Sequence, residues 1–228
     1  MSFDFTIPSE HRDFVEWHRG RRHYAVWALD LDLPEINSVV EGSQCALQDL
    51  LLPGYRRQAH VTLGLCGFPC TESRAADDYS LAVWREQLER LGGANIASFS
   101  FEIGLPHSFA SAPYLTVRDN DGSLAALRRC FHPQTALAGD DYVPHLTLGL
   151  YRSAWPAAKV WQRLAQLDVK PQELELSSVH LMFYESRVIG GPLSSAGYFD
   201  LGARRWQSES GTAQCSLGDW MLASAGGK

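Results

Sequence analysis

"HVTLGL" at residues 60–65 and "HLTLGL" at residues 145–150 agree at five of six positions, 85 residues apart. Of the eight histidines, only His60 and His145 have a threonine two places on; the other six begin HRD, HRG, HYA, HSF, HPQ and HLM. Side chains in a strand alternate between two faces. His60 therefore shares a face with Thr62, and His145 with Thr147. Val61, Leu63 and Leu65 share the opposite face, as do Leu146, Leu148 and Leu150. A lone histidine on a strand is usually a hydrogen-bonded structural residue, and threonine suits strands on propensity. Packing, however, needs only the aliphatic positions to agree. Agreement of His and Thr as well points to chemistry on the polar face. Gly64 and Gly149 are expected to leave that face open, or to mark a bulge.

The flanking sequence alternates strand and helix patterns. "YAVWALDL" (24–31) reads as a strand. Asp32, Pro34 and Glu35 begin a helix whose apolar positions, Ile36, Val39, Val40, Leu47, Leu50 and Leu51, run on to Pro53. Residues 77–93 read as a helix closed by Gly92 and Gly93. Residues 98–105 and 113–119 read as strands, and 122–132 as a helix capped by Ser123. After the second hexapeptide comes a helix over 155–167 with Pro156 in its first turn. Strands at 174–186 and 197–201 finish the pattern. Each half thus runs strand, helix, hexapeptide strand, helix. That order predicts two α+β lobes related by approximate internal duplication. The expected boundaries are an N-terminal extension (1–22), a domain (23–203) and a tail (204–228). The tail is rich in Ser, Gly and Ala from Gln207 onward, with Trp220, Met221 and Leu222 as residues able to dock.

Hydrophobic residues make up 45% of the 228 and charged residues 20%, enough apolar material for a substantial core. No apolar run reaches the length of a membrane span, and "MSFDFTIPSEHRD" lacks the layout of a secretory signal. A cytoplasmic protein without a membrane partner is expected. The net charge of −6 argues against a groove for long nucleic acid. It leaves room for a small basic pocket for one phosphate; the local basic runs, at 18–23 and 55–57, read first as solvated surface. Cysteines 45, 66, 70, 130 and 215 are odd in number and scattered, so inert thiols are expected rather than a disulfide scaffold. Cys66 and Cys70, beside the first hexapeptide, invite a zinc reading with the histidines, but no second cysteine pair supports it.

If the two polar faces meet across a cleft, two imidazoles and two hydroxyls surround a space suited to a tetrahedral anion. Threonine donates its O–H to a phosphate oxygen. One neutral histidine takes a proton from water, and one protonated histidine gives a proton to the leaving oxygen. This scheme calls for no metal and no cofactor.

With "HVTL" and "HLTL" in place, the sequence resembles the two-histidine (2H) phosphoesterase superfamily. The branch it resembles is the bacterial one of RNA 2′,3′-cyclic phosphodiesterases and 2′-5′ RNA ligases. "WALDLDLPEI", "YVPHLTLGLYR", "LMFYESRV" and "GYFDL" carry the resemblance across most of residues 23 to 203. It implies an α+β, bilobal fold: two pseudo-symmetric antiparallel-sheet lobes, helices outside, a central cleft. It also implies a metal-independent phosphodiesterase, expected as a monomer. The implied substrate is a small nucleotide or RNA terminus carrying a cyclic phosphate, or a 2′-5′ linkage. His60 and His145 become the acid/base pair and Thr62 and Thr147 the phosphate binders. Family members often place an arginine soon after the second motif. Here Arg152 follows Tyr151, and in an unbroken strand Tyr151 would share the side of His145 while a bulge at Gly149 would bring Arg152 there. Both are candidates for substrate binding. Tyr184 in "FYES" is a third candidate, as a stacking surface or as an interior aromatic. A competing reading is a non-catalytic module that binds RNA ends or nucleotides in the same cleft.

Overall fold

The computed structural model describes residues 3–131 and 142–208. The elements in chain order are α1 (Val15–His18), β1 (His23–Asp30), α2 (Pro34–Ala46), β2 (His60–Cys70), β3 (Asp78–Ser80), α3 (Leu81–Ala94), β4 (Phe99–Ser108) and β5 (Pro113–Asp119). There follow α4 (Ser123–Phe131), β6 (His145–Thr147), α5 (Ala157–Leu164), β7 (Gln172–Leu176), β8 (Ser178–Glu185), β9 (Leu193–Asp200) and β10 (Arg205–Ser208). They build two sheets, one ordered β10-β9-β8-β1-β2-β3 and the other β6-β5-β4-β7. Every pairing is antiparallel except that of β2 with β3. The architecture is the α+β, bilobal one expected.

The internal duplication is visible as topology. β8-β1-β2 in one sheet corresponds to β4-β5-β6 in the other, and a helix joins the last two strands of each set (β1-α2-β2 and β5-α4-β6). These helices reach across between lobes. From α2, Gln44 Nε2 donates to the carbonyl of Leu148 at 3.0 Å. From α4, Arg128 Nη1 donates to the carbonyl of Leu63, also at 3.0 Å. Leu63 and Leu148 hold the same place in the two hexapeptides.

One apolar core runs through both lobes and contains Trp27, Leu29, Val61 and Leu63 together with Leu115, Leu146 and Leu148. Burying a polar group is costly unless it is hydrogen-bonded. Inside the core, the Trp27 indole and the Tyr79 hydroxyl both donate to Gln87 Oε1, at 2.8 and 2.6 Å, which pins α3 over the larger sheet.

Several elements differ from the sequence expectation. Residues 174–186 are not one strand: the chain passes from β7 in the smaller sheet to β8 in the larger one at Ser177. The lobes are therefore not the two halves of the sequence. The helix expected from residue 77 starts at Leu81, because Ser80 caps it (Val83 N–H to Oγ, 3.4 Å) and the Asp78 carboxylate accepts the N–H groups of Arg74 and Ala75. The helix after β1 stops at Ala46 rather than continuing to Pro53. Ser123 lies within α4, whose first N–H groups are taken by the carboxylates of Asp121 and Asp119. β10 carries the larger sheet past residue 203.

Residues 3–22 are tied to both lobes. Thr6 Oγ1 donates to the Ser153 carbonyl and accepts from Trp155 N, each at 2.7 Å, while Arg21 pairs with Asp77 and Asp78. The expectations for Cys215 and for docking by Trp220, Met221 and Leu222 fall outside the described residues. Among the described residues, no helix is long and apolar enough to cross a membrane.

Candidate active site

His60 and Thr62 open β2, and His145 and Thr147 are the ends of β6. Asp30 and Ala28 on β1 stand opposite the first pair, and Thr116 and Tyr114 on β5 opposite the second. All four side chains line a single cleft of about 380 Å³. Tyr55, Arg57, Phe109, Ser111 and Leu150 also face it. Among the described residues, neither threonine hydroxyl is engaged by another group.

The two imidazoles are held alike. His60 Nδ1 lies 2.7 Å from the carbonyl of Gln58, and His145 Nδ1 lies 2.7 Å from the carbonyl of Val143. A carbonyl only accepts, so each Nδ1 carries the hydrogen and Nε2 keeps its lone pair in the neutral ring. Burial pushes His60 down to about 4, and the charges of Arg57 and His145 act in the same direction; the bond to Gln58 opposes them. Burial lowers His145 as well, against its bond to Val143. Phe109 and Tyr114 meet the His145 ring edge-on at 4.9 and 5.4 Å and fix its plane. Between the lobes, the Tyr142 hydroxyl donates to the Thr62 carbonyl at 2.7 Å.

Among the described residues lining the cleft, Arg57 is the cation; it stands in the 55–57 run that reads first as solvated surface, and the sequence does not single it out as a site residue. Its Nε donates to the Gly191 carbonyl at 3.2 Å, and its guanidinium lies 4.2 Å from the centre of the Tyr184 ring. Its backbone is fixed on both sides. Arg56 N donates to Gly190 O at 2.8 Å. The Gln58 side chain accepts from Leu193 N at 2.8 Å and donates to Leu193 O at 3.1 Å.

The other candidates lie elsewhere. β6 ends at Thr147, so the strand alternation that would aim Tyr151 or Arg152 at His145 has stopped. Tyr151 is 1% exposed, with its hydroxyl 2.6 Å from Ser108 Oγ, and Arg152 is exposed, 6.0 Å from the Trp155 ring. Tyr184 stands behind Arg57 and packs on Tyr24. Leu150, expected in the core, lines the cleft for the same reason as Tyr151 leaves it. Leu65 is 59% exposed because β2 carries extra residues against β1: Trp27 faces Gly64 while Ala28 faces Thr62, and the register shifts again beyond Val26. Such bulges re-aim the side chains that follow. Gly149 does not open the cleft; a Cβ there would stand 3.0 Å from Leu51 Cδ1. Among the described residues, no group of three or more His, Cys, Asp and Glu side chains comes together in a way that could hold a metal ion. Cys66 is half-buried, and desolvation pushes its thiol up to about 12.

No curated protein matches the chain. Among solved structures, Escherichia coli LigT complexed with 3′-AMP is similar over 79% of this chain and 98% of its own, at 16% identity and a TM-score of 0.49. Its apo form gives 14% identity over the same shares, with a TM-score of 0.48. TT0787 of Thermus thermophilus gives 17% identity over 78% of this chain and 97% of its own, with a TM-score of 0.45. The sequence profile of the 2′-5′ RNA ligase superfamily matches residues 40–187, well over half of the chain and including both histidine motifs. The chain belongs to the 2′-5′ RNA ligase superfamily, the 2H phosphoesterases.

Proposed function

We propose that the cleft is a metal-independent phosphodiesterase site, opening a 2′,3′-cyclic phosphate on a small nucleotide or RNA terminus, or acting on a related 2′-5′ linkage. One observation carries the reading. Two imidazoles and two unengaged threonine hydroxyls line one cleft, and both imidazoles have Nδ1 committed to a backbone carbonyl. That commitment leaves two Nε2 atoms for proton transfer around one phosphate.

In the hydrolytic direction the phosphate oxygens accept from the hydroxyls of Thr62 and Thr147. His60, held neutral by burial, takes a proton from the attacking water as its oxygen bonds to phosphorus. His145 is raised by the bound anion, which favours its charged form. It delivers its proton to the ribose oxygen as the P–O bond breaks. One P–O bond forms and one breaks; the water proton ends on His60 and the proton of His145 on the ribose hydroxyl. The reverse direction exchanges the two roles.

The test is turnover of 2′,3′-cyclic nucleotides in EDTA by the wild type, His60→Ala and His145→Ala, with product positions assigned. Wild-type turnover is expected, with its loss in both variants while thermal melts show that each variant remains folded. Full activity in either variant overturns the mechanism. Binding without turnover by the wild type makes the cleft a nucleotide-binding module instead.

A further inference from the structure

We propose that Arg57 is the phosphate clamp of this protein, standing on the first-motif side where the second-motif side was expected to supply an arginine. The inference rests on reading the cleft as a phosphodiester site, and four observations support it.

Arg57 lines the same cleft as both histidines and both threonines. Its charge meets no carboxylate among the described residues, whereas Arg21, Arg90 and Arg163 are each ion-paired. A partly buried, uncompensated guanidinium is costly without an anion, and a phosphate oxygen is the anion this cleft is built around.

The guanidinium is also pre-positioned. Gly191 takes one N–H, from Nε, and the Tyr184 ring supports the planar face. A backing aromatic and one fixed bond leave the terminal N–H groups as a rigid fork, the geometry that suits phosphate. The backbone beneath is locked to residues 190–193 through Arg56 and Gln58.

The arrangement is one-sided. Position 142 stands to His145 as Arg57 stands to His60, and it is a tyrosine. The Tyr142 hydroxyl is committed to the Thr62 carbonyl and its ring lies under Arg128, 3.9 Å away. Arg152, where the resemblance would place the cation, is exposed and lies off the cleft. Of these cations, Arg57 beside His60 lines the cleft, whereas Arg128 over Tyr142 does not. An anion in the cleft is drawn toward one histidine, which breaks the equivalence that the duplicated motif would otherwise impose.

The experiment compares the wild type with Arg57→Gln, Arg57→Lys and Arg152→Gln, after thermal melts establish that each is folded. Inorganic phosphate and 2′-AMP are titrated calorimetrically, and KM and kcat are measured on 2′,3′-cyclic AMP. Arg57→Gln should weaken phosphate binding and raise KM by roughly tenfold or more, the scale of a lost charge-assisted bond. Arg57→Lys should restore only part, since a lysine has no fork and no flat face to rest on Tyr184. Arg152→Gln should match the wild type. Wild-type phosphate affinity in Arg57→Gln, a loss in Arg152→Gln instead, or no phosphate binding by the wild type overturns the clamp. The titrations decide this even if no cyclic phosphate is turned over, in which case the phosphodiesterase reading fails separately.

Discussion

Gln44 and Arg128, on different helices and 84 residues apart, donate to the carbonyls of Leu148 and Leu63, the same position in the two hexapeptides. Each helix thereby holds the histidine strand of the opposite lobe. The relative placement of His60 and His145 depends on contacts that cross between lobes, not on either sheet alone.

Gln44→Leu leaves the Leu148 carbonyl without its donor. Losing one partner of a buried or half-buried hydrogen bond costs about 1–3 kcal/mol. Urea unfolding should show a loss of that order, with turnover falling further than stability because the second motif shifts against the first. Unchanged stability and turnover would mean that the cross-lobe bond holds neither motif in place.

Acid stability follows from the depressed histidines. His60 is lowered to about 4 in the folded chain, while an unfolded histidine titrates near 6.5. Between those values the unfolded chain binds a proton that the folded chain refuses. The stability contribution is present in full above pH 6.5 and is lost as pH falls toward 4. For His60 alone the loss reaches about 2 kcal/mol at pH 5. Denaturation at pH 7 and pH 5 should show a smaller drop for His60→Asn than for the wild type; equal drops would mean that His60 is not buried as a neutral ring.

Thr62→Val and Thr147→Val keep strand propensity and shape but remove the hydroxyls that face the cleft. Each should raise KM for a cyclic nucleotide about fivefold to tenfold, the worth of one hydrogen bond. Melting temperatures should stay near the wild type, since neither hydroxyl has a described partner to lose.

Gly190 has φ +65°, and a Cβ there would stand 2.7 Å from Cδ2 of Tyr55. Gly190→Ala combines left-handed strain with displacement of a ring that lines the cleft. We expect a stability loss of roughly 1–3 kcal/mol and a raised KM, read from thermal melts and steady-state kinetics. A variant with wild-type values in both would show that the 190–193 loop yields freely.

Tyr184→Phe keeps the ring under Arg57, whereas Tyr184→Leu removes the flat support. Cation–π support at a half-buried site contributes about 1–2 kcal/mol. The phenylalanine variant should bind phosphate as the wild type does and the leucine variant several-fold more weakly. Identical binding in both would place Tyr184 outside the positioning of Arg57.

The polar faces were legible because their information is local: His and Thr two residues apart share a face, and the phrase is written twice. The α+β class was legible for the same reason. What was lost depends on distant partners. Arg57 looks like surface in "YRR" because the groups that turn it into the cleft, Gly191 and Tyr184, lie more than 120 residues away. Tyr151 and Arg152 were expected beside His145 only if the strand continued, and β6 ends at Thr147. The alternation through residues 174–186 carries no mark of the change of sheet at Ser177, because both flanking strands obey the same period.

That change of sheet sets the order in which each lobe's strands become available during synthesis. The smaller sheet is complete once residues 99–176 have left the ribosome, as all four of its strands are contiguous in synthesis. β1, made long before, waits with one bare flank until β8 arrives to zip against it. The lobe that begins first therefore finishes last, and a chain cut short near residue 176 would carry both histidines on an incomplete scaffold.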